Sequence, residues 1–464
     1  MINAFDRDKF SESLNNCHDI IRDNDKLSPE AAFDEISKVL FVKIRFERDE
    51  GTIFTEDIYI QRRAIFDLGP VQPSTHYYQY LFEEVKDYYH CEQIFETNDR
   101  FRIRESSFSR IVKELESFNL STVSDDLKGM AFENFLGTTF RGELGQFFTP
   151  RPIVKFMVSV LNPLEGESVL DPCCGSGGFI IRAFEYVRNQ IMADVDDCHN
   201  IERIHFLATD CIYGVDANPR MARTAKMNMI MHGDGHSGVH HHDGLVDCDN
   251  IFEGRFDVIL TNPPFGAKVS KKLLVSAEDV YISEEKDKQY RNQYGEIYTS
   301  SRKKVVASIG ETIISQYELG KSNSQTEVLF LERCLRLLRP GGRMGIVLPE
   351  GVMNNTNMEK VRQYVEDRAK LLLIVSLPKS VFVKSGADVK TSILFLRKFT
   401  DEESEIYESL LQQYKNDRNA VKSHFNYKIP IAEIEDPNVG TLEDADFSAI
   451  LSQFCDYRDS HNLW

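Results

Sequence analysis

Asn262-Pro263-Pro264-Phe265 closes the apolar run FDVILT, residues 256–261, and its residue types suit one kind of chemistry. Two prolines stiffen the turn and fix the direction of the Pro263 carbonyl, while Asn262 sets a side-chain acceptor beside it. Phe265 adds a flat apolar face. Two acceptors next to an aromatic wall suit a planar group that carries an amino substituent. An amine on a nucleobase is a poor nucleophile, because its lone pair is delocalised into the ring. Accepting both of its N–H bonds favours pyramidal nitrogen in the transition state. Stacking on Phe265 then holds the ring for in-line attack on a sulfonium methyl. Such a transfer requires no metal, general base or covalent intermediate.

Two earlier stretches read as the other half of a site. In VLDPCCGSGGF, residues 169–179, a strand runs into Asp171, and Gly175, Ser176, Gly177 and Gly178 form a turn that opens a helix. Glycine lets such a turn approach a ligand without a Cβ in the way, and strand, glycine loop, helix is the context of a nucleotide-type site. Ile180 stands where a dinucleotide loop places its third glycine, which counts against a dinucleotide. In YGVDANP, Asp216 ends the next apolar strand, where an acid can bind both hydroxyls of a ribose. Asn218 before Pro219 also reads as a helix N-cap.

These residues need a frame that brings strand ends together. From about residue 160 the pattern is strand, turn, helix, repeated, with apolar strands ending at Asp171, Asp216, Thr261, Leu348, Leu377 and Leu396. Amphipathic helices lie between them at Gly177–Arg188, Pro219–Met231 and Glu327–Leu338. The alternation predicts an α/β protein with a doubly wound, Rossmann-like sheet of mainly parallel strands, whose ligands bind beyond the carboxyl ends. Residues 1–140 read as a helical domain, with Ser28-Pro29 opening a helix through Phe33, Ile36, Leu40, Ile44 and Phe46. Further helices are expected around Tyr78–Tyr89, Phe108–Phe118 and Asp125–Phe140. The catalytic domain is expected over 141–400, interrupted at 267–325 by a polar insertion too long for a plain connector. The tail, 401–464, is read as one helix followed by an acidic, irregular remainder.

DPCCGSGGF followed by NPPF, with GQFFTPRPIV upstream, resembles the S-adenosylmethionine-dependent adenine-N6 DNA methyltransferases. More closely, the stretch from Asp125 to Lys398 is similar to the modification subunit of type I restriction–modification systems. The resemblance implies that Gln146, Phe147, Phe148, Thr149, Pro150 and Arg151 lie along the methionine end of S-adenosylmethionine. It implies that the loop from Asp171 to Gly178 passes beneath the cofactor, that Asp216 binds its ribose and that Asp243, in HHDGL, lies near its adenine. Asn262, Pro263, Pro264 and Phe265 would be the catalytic tetrad, acting on an adenine flipped out of double-stranded DNA. The stretches KSNSQTEVLFLERCLRLLRPGGRMGIVLPEG and SLPKSVFVKSGADVKTSILFLRK would complete the sheet and the target-base pocket. Tetrads of this type also serve methylation of RNA bases and protein amides, and a scaffold could keep the fold without turnover. The flanking motifs favour DNA.

A chain with 42% apolar and 28% charged residues is globular in composition, neither collagen-like nor disordered. No apolar run is long enough to span a membrane and the first residues lack a signal-peptide pattern, so a cytoplasmic location is expected. The net charge of −18 disfavours non-specific attraction to nucleic acid, and fourteen acidic against five basic residues from Asp401 onward give the tail a net charge of −9. After Lys398 a sequence-reading domain of ordinary size does not fit. The expected partners are therefore double-stranded DNA, a separate specificity subunit in an M2S1-type assembly and, in a full system, a restriction subunit. The helical domain and the tail would be docking surfaces. HGDGHSGVHHHDG, residues 232–244, is histidine-rich but reads as a flexible loop without metal-ligand spacing.

Overall fold

The computed structural model describes residues 6–69, 75–89, 94–95, 97–122, 149–194, 199–233, 238–382, 389–435 and 442–464. The chain divides into two compact units, Met1–Gln146 with Lys226–Ser237, and Phe147–Ala225 with Gly238–Trp464.

The first unit is helical: α1 (Arg7–Asp25), α2 (Pro29–Glu50), α3 (Glu56–Asp67), α4 (Tyr77–Tyr88) and α5 (Glu105–Leu115). Ser28 Oγ accepts the Ala31 N–H and Pro29 occupies the first turn, which fixes where α2 starts. Phe33, Ile36, Leu40, Ile44 and Phe46 are all buried, yet so are four charged residues of the same helix. Lys43 Nζ lies 2.5 Å from Glu47 Oε1, and the other Glu47 oxygen accepts the Leu120 N–H at 2.7 Å. Glu35 likewise takes Lys38 Nζ at 2.6 Å and the Arg102 N–H at 2.8 Å. Each buried charge thus has a partner, the condition under which burial is tolerated. The helix expected over Asp125–Phe140 lies outside the described residues.

The second unit carries the sheet. In chain order its elements are α6 (Arg151–Leu161), β1 (Val169–Asp171), α7 (Gly178–Met192), α8 (Asn200–Phe206), β2 (Ile212–Asp216), α9 (Pro219–Met231, whose last turns belong to the first unit), β3 (Val239–His241) and β4 (Phe256–Thr261). They continue as α10 (Glu284–Ala307), α11 (Thr326–Leu337), β5 (Leu338–Pro349), α12 (Glu350–Asn354), α13 (Glu359–Glu366), β6 (Ala369–Ser376) and β7 (Thr391–Lys398). The last are α14 (Asp401–Gln413), α15 (Arg418–His424), β8 (Ile431–Glu433) and α16 (Asp444–Ser460).

Strand order is β3-β2-β1-β4-β5-β7-β6-β8, with β7 antiparallel to both neighbours and every other pairing parallel. Val169 is level with Ile212 on one side and Val258 on the other, so the ends of β1, β2 and β4 emerge side by side. Central strands are covered on both faces and read as continuous apolar runs.

Two expectations change, on the histidine-rich stretch and on the tail. Residues 239–241 are not part of a flexible loop: they form the edge strand β3, with Gly214 N donating to Gly238 O at 3.0 Å. A short strand written Val-His-His has no apolar alternation to mark it. The tail is not irregular after its first helix. β8 pairs with β6, and Phe447 of α16 packs on Phe156 of α6 with ring centroids 4.7 Å apart. The insertion is an ordered subdomain whose α10, broken at Gly295 where φ is +60°, buries Tyr290 and Tyr298 against Phe252. Among the described residues no helix is long and apolar enough to cross a membrane.

Candidate functional site

β1 delivers Asp171 to the start of the glycine loop, where its side chain is 2% exposed. Its Oδ1 accepts the Cys173 N–H at 3.1 Å and the Thr261 hydroxyl at 2.7 Å. Burial pushes this carboxyl up to about 7, against those two hydrogen bonds, which pull it down. Asp171 therefore ties the loop to the end of β4. Thr261, which the sequence marks only as a strand end, is the other anchor, and its hydroxyl also lies 2.9 Å from Cys173 Sγ.

The loop crosses the end of β2. Cys174 N donates to Val215 O at 2.8 Å, and Gly175 N donates to Asp216 Oδ2 at 2.9 Å. Asp216 Oδ1 accepts the Asn218 N–H at 2.8 Å. Burial raises the Asp216 carboxyl above its usual range, offset by these two backbone donors. Gly175 and Gly177 have φ of +53° and +90°, where a side chain would be strained. A Cβ at Gly177 would come within 3.3 Å of Ala225, so that glycine serves packing against α9. A Cβ at Gly175 or Gly178 would meet nothing within 4 Å, which leaves one side of the loop open. Ser176 is half-buried between them.

Asp243 follows β3 and uses Oδ1 to accept the Leu245 N–H at 3.0 Å. Gly244 passes so close to the glycine loop that a Cβ there would sit 1.9 Å from Pro172 O. That approach brings the Asp243 turn alongside the loop and accounts for the glycine.

At the end of β4, Asn262 Nδ2 donates to Thr149 Oγ1 at 2.9 Å. This bond fixes the amide, and Oδ1 is left buried without a hydrogen-bond partner among the described residues. No described residue donates to the Pro263 carbonyl. Pro264 is exposed, while Phe265 is half-buried with its ring edge-to-face with that of Phe382, centroids 6.1 Å apart at 87°. Gly266 N donates to Glu327 Oε2 at 3.2 Å, and burial raises the Glu327 carboxyl above its usual range. Thr149 and Pro150 are half-buried and Arg151 is exposed at the start of α6. Gln146, Phe147 and Phe148 lie outside the described residues.

The structure thus brings Thr149, Asp171, Gly175 to Gly178, Asp216, Asp243 and the Asn-Pro-Pro-Phe turn to one end of the sheet. It adds Thr261, Glu327 and Phe382. The signal for Glu327 was an acid in the first turn of a helix rich in apolar residues, since a buried carboxylate needs a partner. Phe382 lies in the stretch SLPKSVFVKSGADVKTSILFLRK that the resemblance assigns to the sheet and target-base pocket, but nothing singled it out within that stretch.

A glycine loop after β1, an acid ending β2 and Asn-Pro-Pro-Phe after β4, on a sheet whose seventh strand runs antiparallel, define a Rossmann-like methyltransferase fold. A model of the N-6 DNA Methylase family matches residues 123–304 and 310–437, and the chain belongs to that family. It is 27% identical over 293 residues to the type I restriction enzyme EcoEI methylase subunit of Escherichia coli, covering 62% of this chain and 50% of that one. It is 28% identical over 261 residues to the EcoKI methylase subunit of Escherichia coli strain K12, covering 55% and 41%. The chain thus matches half or less of the length of these curated relatives. Its fold is similar to the crystal structure of a modification subunit of a putative type I restriction enzyme from Vibrio vulnificus YJ016. That likeness has a TM-score of 0.60 at 18% identity, over 97% of this chain and 90% of that one.

Proposed function

We propose that the chain is the modification subunit of a type I-like restriction–modification system. It methylates N6 of an adenine flipped out of double-stranded DNA, at a sequence read by a separate specificity subunit. The observation that carries this reading is Asn262 Oδ1, a buried acceptor with no partner among the described residues, oriented by Thr149 and beside the Pro263 carbonyl. An unmet buried acceptor costs about 1–3 kcal/mol, and an amino group bound there would remove that cost while the reaction proceeds. The open side of the glycine loop at Gly175 and Gly178, with Asp216 at the end of β2, fits S-adenosylmethionine. When bound, that cofactor supplies an electrophilic methyl.

The protein's own groups do the rest. Asn262 and Pro263 accept the two amine N–H bonds, and this acceptance strengthens as the nitrogen becomes tetrahedral. Phe265, braced by Phe382, stacks on the base, worth about 1–3 kcal/mol by analogy with other base–aromatic stacks. Asp216 holds the glycine loop through Gly175 and offers its remaining lone pairs to ribose hydroxyls. Asp243 supports the adenine end and the segment 146–151 the methionine end.

The test is modified-base sequencing of DNA from cells that lack adenine methylation and express this chain, alone or with a specificity protein, beside an Asn262→Ala control. N6-methyladenine at one defined sequence, dependent on the partner and absent in the control, is expected. Methylation by the chain alone would overturn the need for a partner. No methylation with both proteins soluble and associated would overturn the DNA reading.

A further inference from the structure

The chain is strongly acidic, but the residues that follow its catalytic turn are not. Between Ala267 and Val275 the sequence AKVSKKLLV holds three lysines and no acid. Leu273 N donates to Ser270 O at 3.2 Å, closing a turn whose two central residues are Lys271 and Lys272. The base of this tip is fixed on both sides. Val269 N donates to Ser324 O and Val275 N to Glu311 O, each at 2.9 Å, and Ile313 N donates to Leu273 O at 2.9 Å. Beneath it Val275 packs with Ile313, Ile314, Tyr317 and Phe330 in a buried apolar cluster. The tip is also joined to the catalytic turn, because Thr326 N donates to Ala267 O and the next residue, Glu327, holds Gly266 N.

Some cations elsewhere in the insertion are neutralised within the protein, whereas Lys288, Lys303 and Lys321 are exposed and form no ion pair among the described residues. On α10, Lys286 pairs with Asp249 at 2.7 Å, Arg291 with Asp287 at 2.6 Å and Lys304 with Glu253 at 3.2 Å. Lys268, Lys271 and Lys272 are exposed, and among the described residues no carboxylate pairs with them. Leu273 and Leu274 beside them are 48% and 51% exposed. Three free ammonium groups on a rigid, ordered tip, next to exposed aliphatic surface, suit a ligand with regularly spaced anions and an apolar edge.

We infer that Lys268, Lys271 and Lys272 form a phosphate clamp for the DNA strand that carries the target base. The clamp rests on the reading of the site as a DNA methyltransferase and names the part of the chain that grips the backbone there. Lys271 is six residues from Phe265, so it reaches at most about 20 Å from the stacking face. Each strand presents one phosphate per about 3.4 Å of helix axis, which places the tip within about six nucleotides of the flipped base. Lysine, a compact hydrated charge, fits this sequence-independent role.

The experiment measures binding of the full chain to a fluorescent duplex of mixed sequence at several salt concentrations. It compares wild type with the triple variant Lys268→Gln, Lys271→Gln, Lys272→Gln and with a control, Lys360→Gln with Lys428→Gln, which removes exposed charge elsewhere. The salt slope is expected to fall by about 0.9 for each phosphate no longer neutralised, about two to three in all, with affinity down roughly 10–100-fold near 0.1 M salt. S-adenosylmethionine binding should stay at the wild-type value. An unchanged slope, a control that lowers it as much as the triple variant, or a wild type that does not bind the duplex at low salt would each overturn the clamp. The Asn262→Ala comparison in cells fails or succeeds separately, since it reads methyl transfer and leaves the lysines in place.

Discussion

At the ends of β1 and β2 the carboxylates of Asp171 and Asp216 already accept backbone N–H groups of the loop they would present to a cofactor. At the end of β4 the Asn262 amide is held by Thr149, and its oxygen accepts nothing from the described residues. The first half of the site is satisfied internally, so it keeps its shape without a ligand. The second half keeps one acceptor unmet in a water-poor place, where a donor that strengthens during reaction gains most. On the proposed reading, binding at the ends of β1 and β2 is separated from catalysis at the end of β4, and the Asp171–Thr261 hydrogen bond joins the two halves.

That contrast can be broken most directly at Asn262. Asn262→Ala should lower methyl transfer by at least about 10²–10³-fold, as loss of one transition-state hydrogen-bonding group does elsewhere. Cofactor affinity, measured by calorimetry, should stay nearly unchanged. Loss of cofactor binding would show that the two halves are not separate. The mirror experiment is Asp216→Ala, which removes the acceptor of two backbone N–H groups and, on the proposed reading, the ribose partner. Hydrogen bonds to charged groups are worth about 1.5–3 kcal/mol, so cofactor affinity should fall by about 10–100-fold. The thermal midpoint should fall as well, because the glycine loop loses its anchor.

Glu327 tests how far the catalytic turn depends on positioning. Glu327→Ala frees Gly266 N and should lower kcat by about 10-fold without raising KM for the cofactor, a small displacement of the turn being enough. Glu327→Gln, which keeps an acceptor oxygen, should restore most of the rate. The smallest effect is expected at Asp171. Its carboxyl is raised to about 7 in the folded chain by burial, so its contribution to stability is present below the unfolded value near 4 and is lost as pH rises through about 7. Asp171→Asn keeps the acceptor for Thr261 and Cys173 without the buried charge. The thermal midpoint of this variant should be flatter between pH 4 and 8 than that of wild type.

Much of the sheet was legible because its strands are short apolar runs that stop at a polar residue. β1, β2 and β4 end at Asp171, Asp216 and Thr261, where the pattern placed them. β3 and β8 were not legible. Each is three residues long at or near a sheet edge, and what makes them strands is the neighbour they pair with. The helix α2 shows the same limit. Its apolar spacing marked one face, but nothing in the sequence says that Lys43 and Glu47 lie buried against each other on another.

The chemistry of the residues, their order and their places at strand ends follow from the sequence, because residue type and periodicity are local properties. Which polar atoms are satisfied does not. Only the folded chain shows that the Asp171 carboxyl is turned inward to Thr261 and that Glu327, sixty-one residues beyond Gly266, holds its N–H. Only the folded chain leaves Asn262 Oδ1 without a partner among the described residues, since hydrogen bonding depends on which distant segments the packing of the sheet brings within about 3 Å.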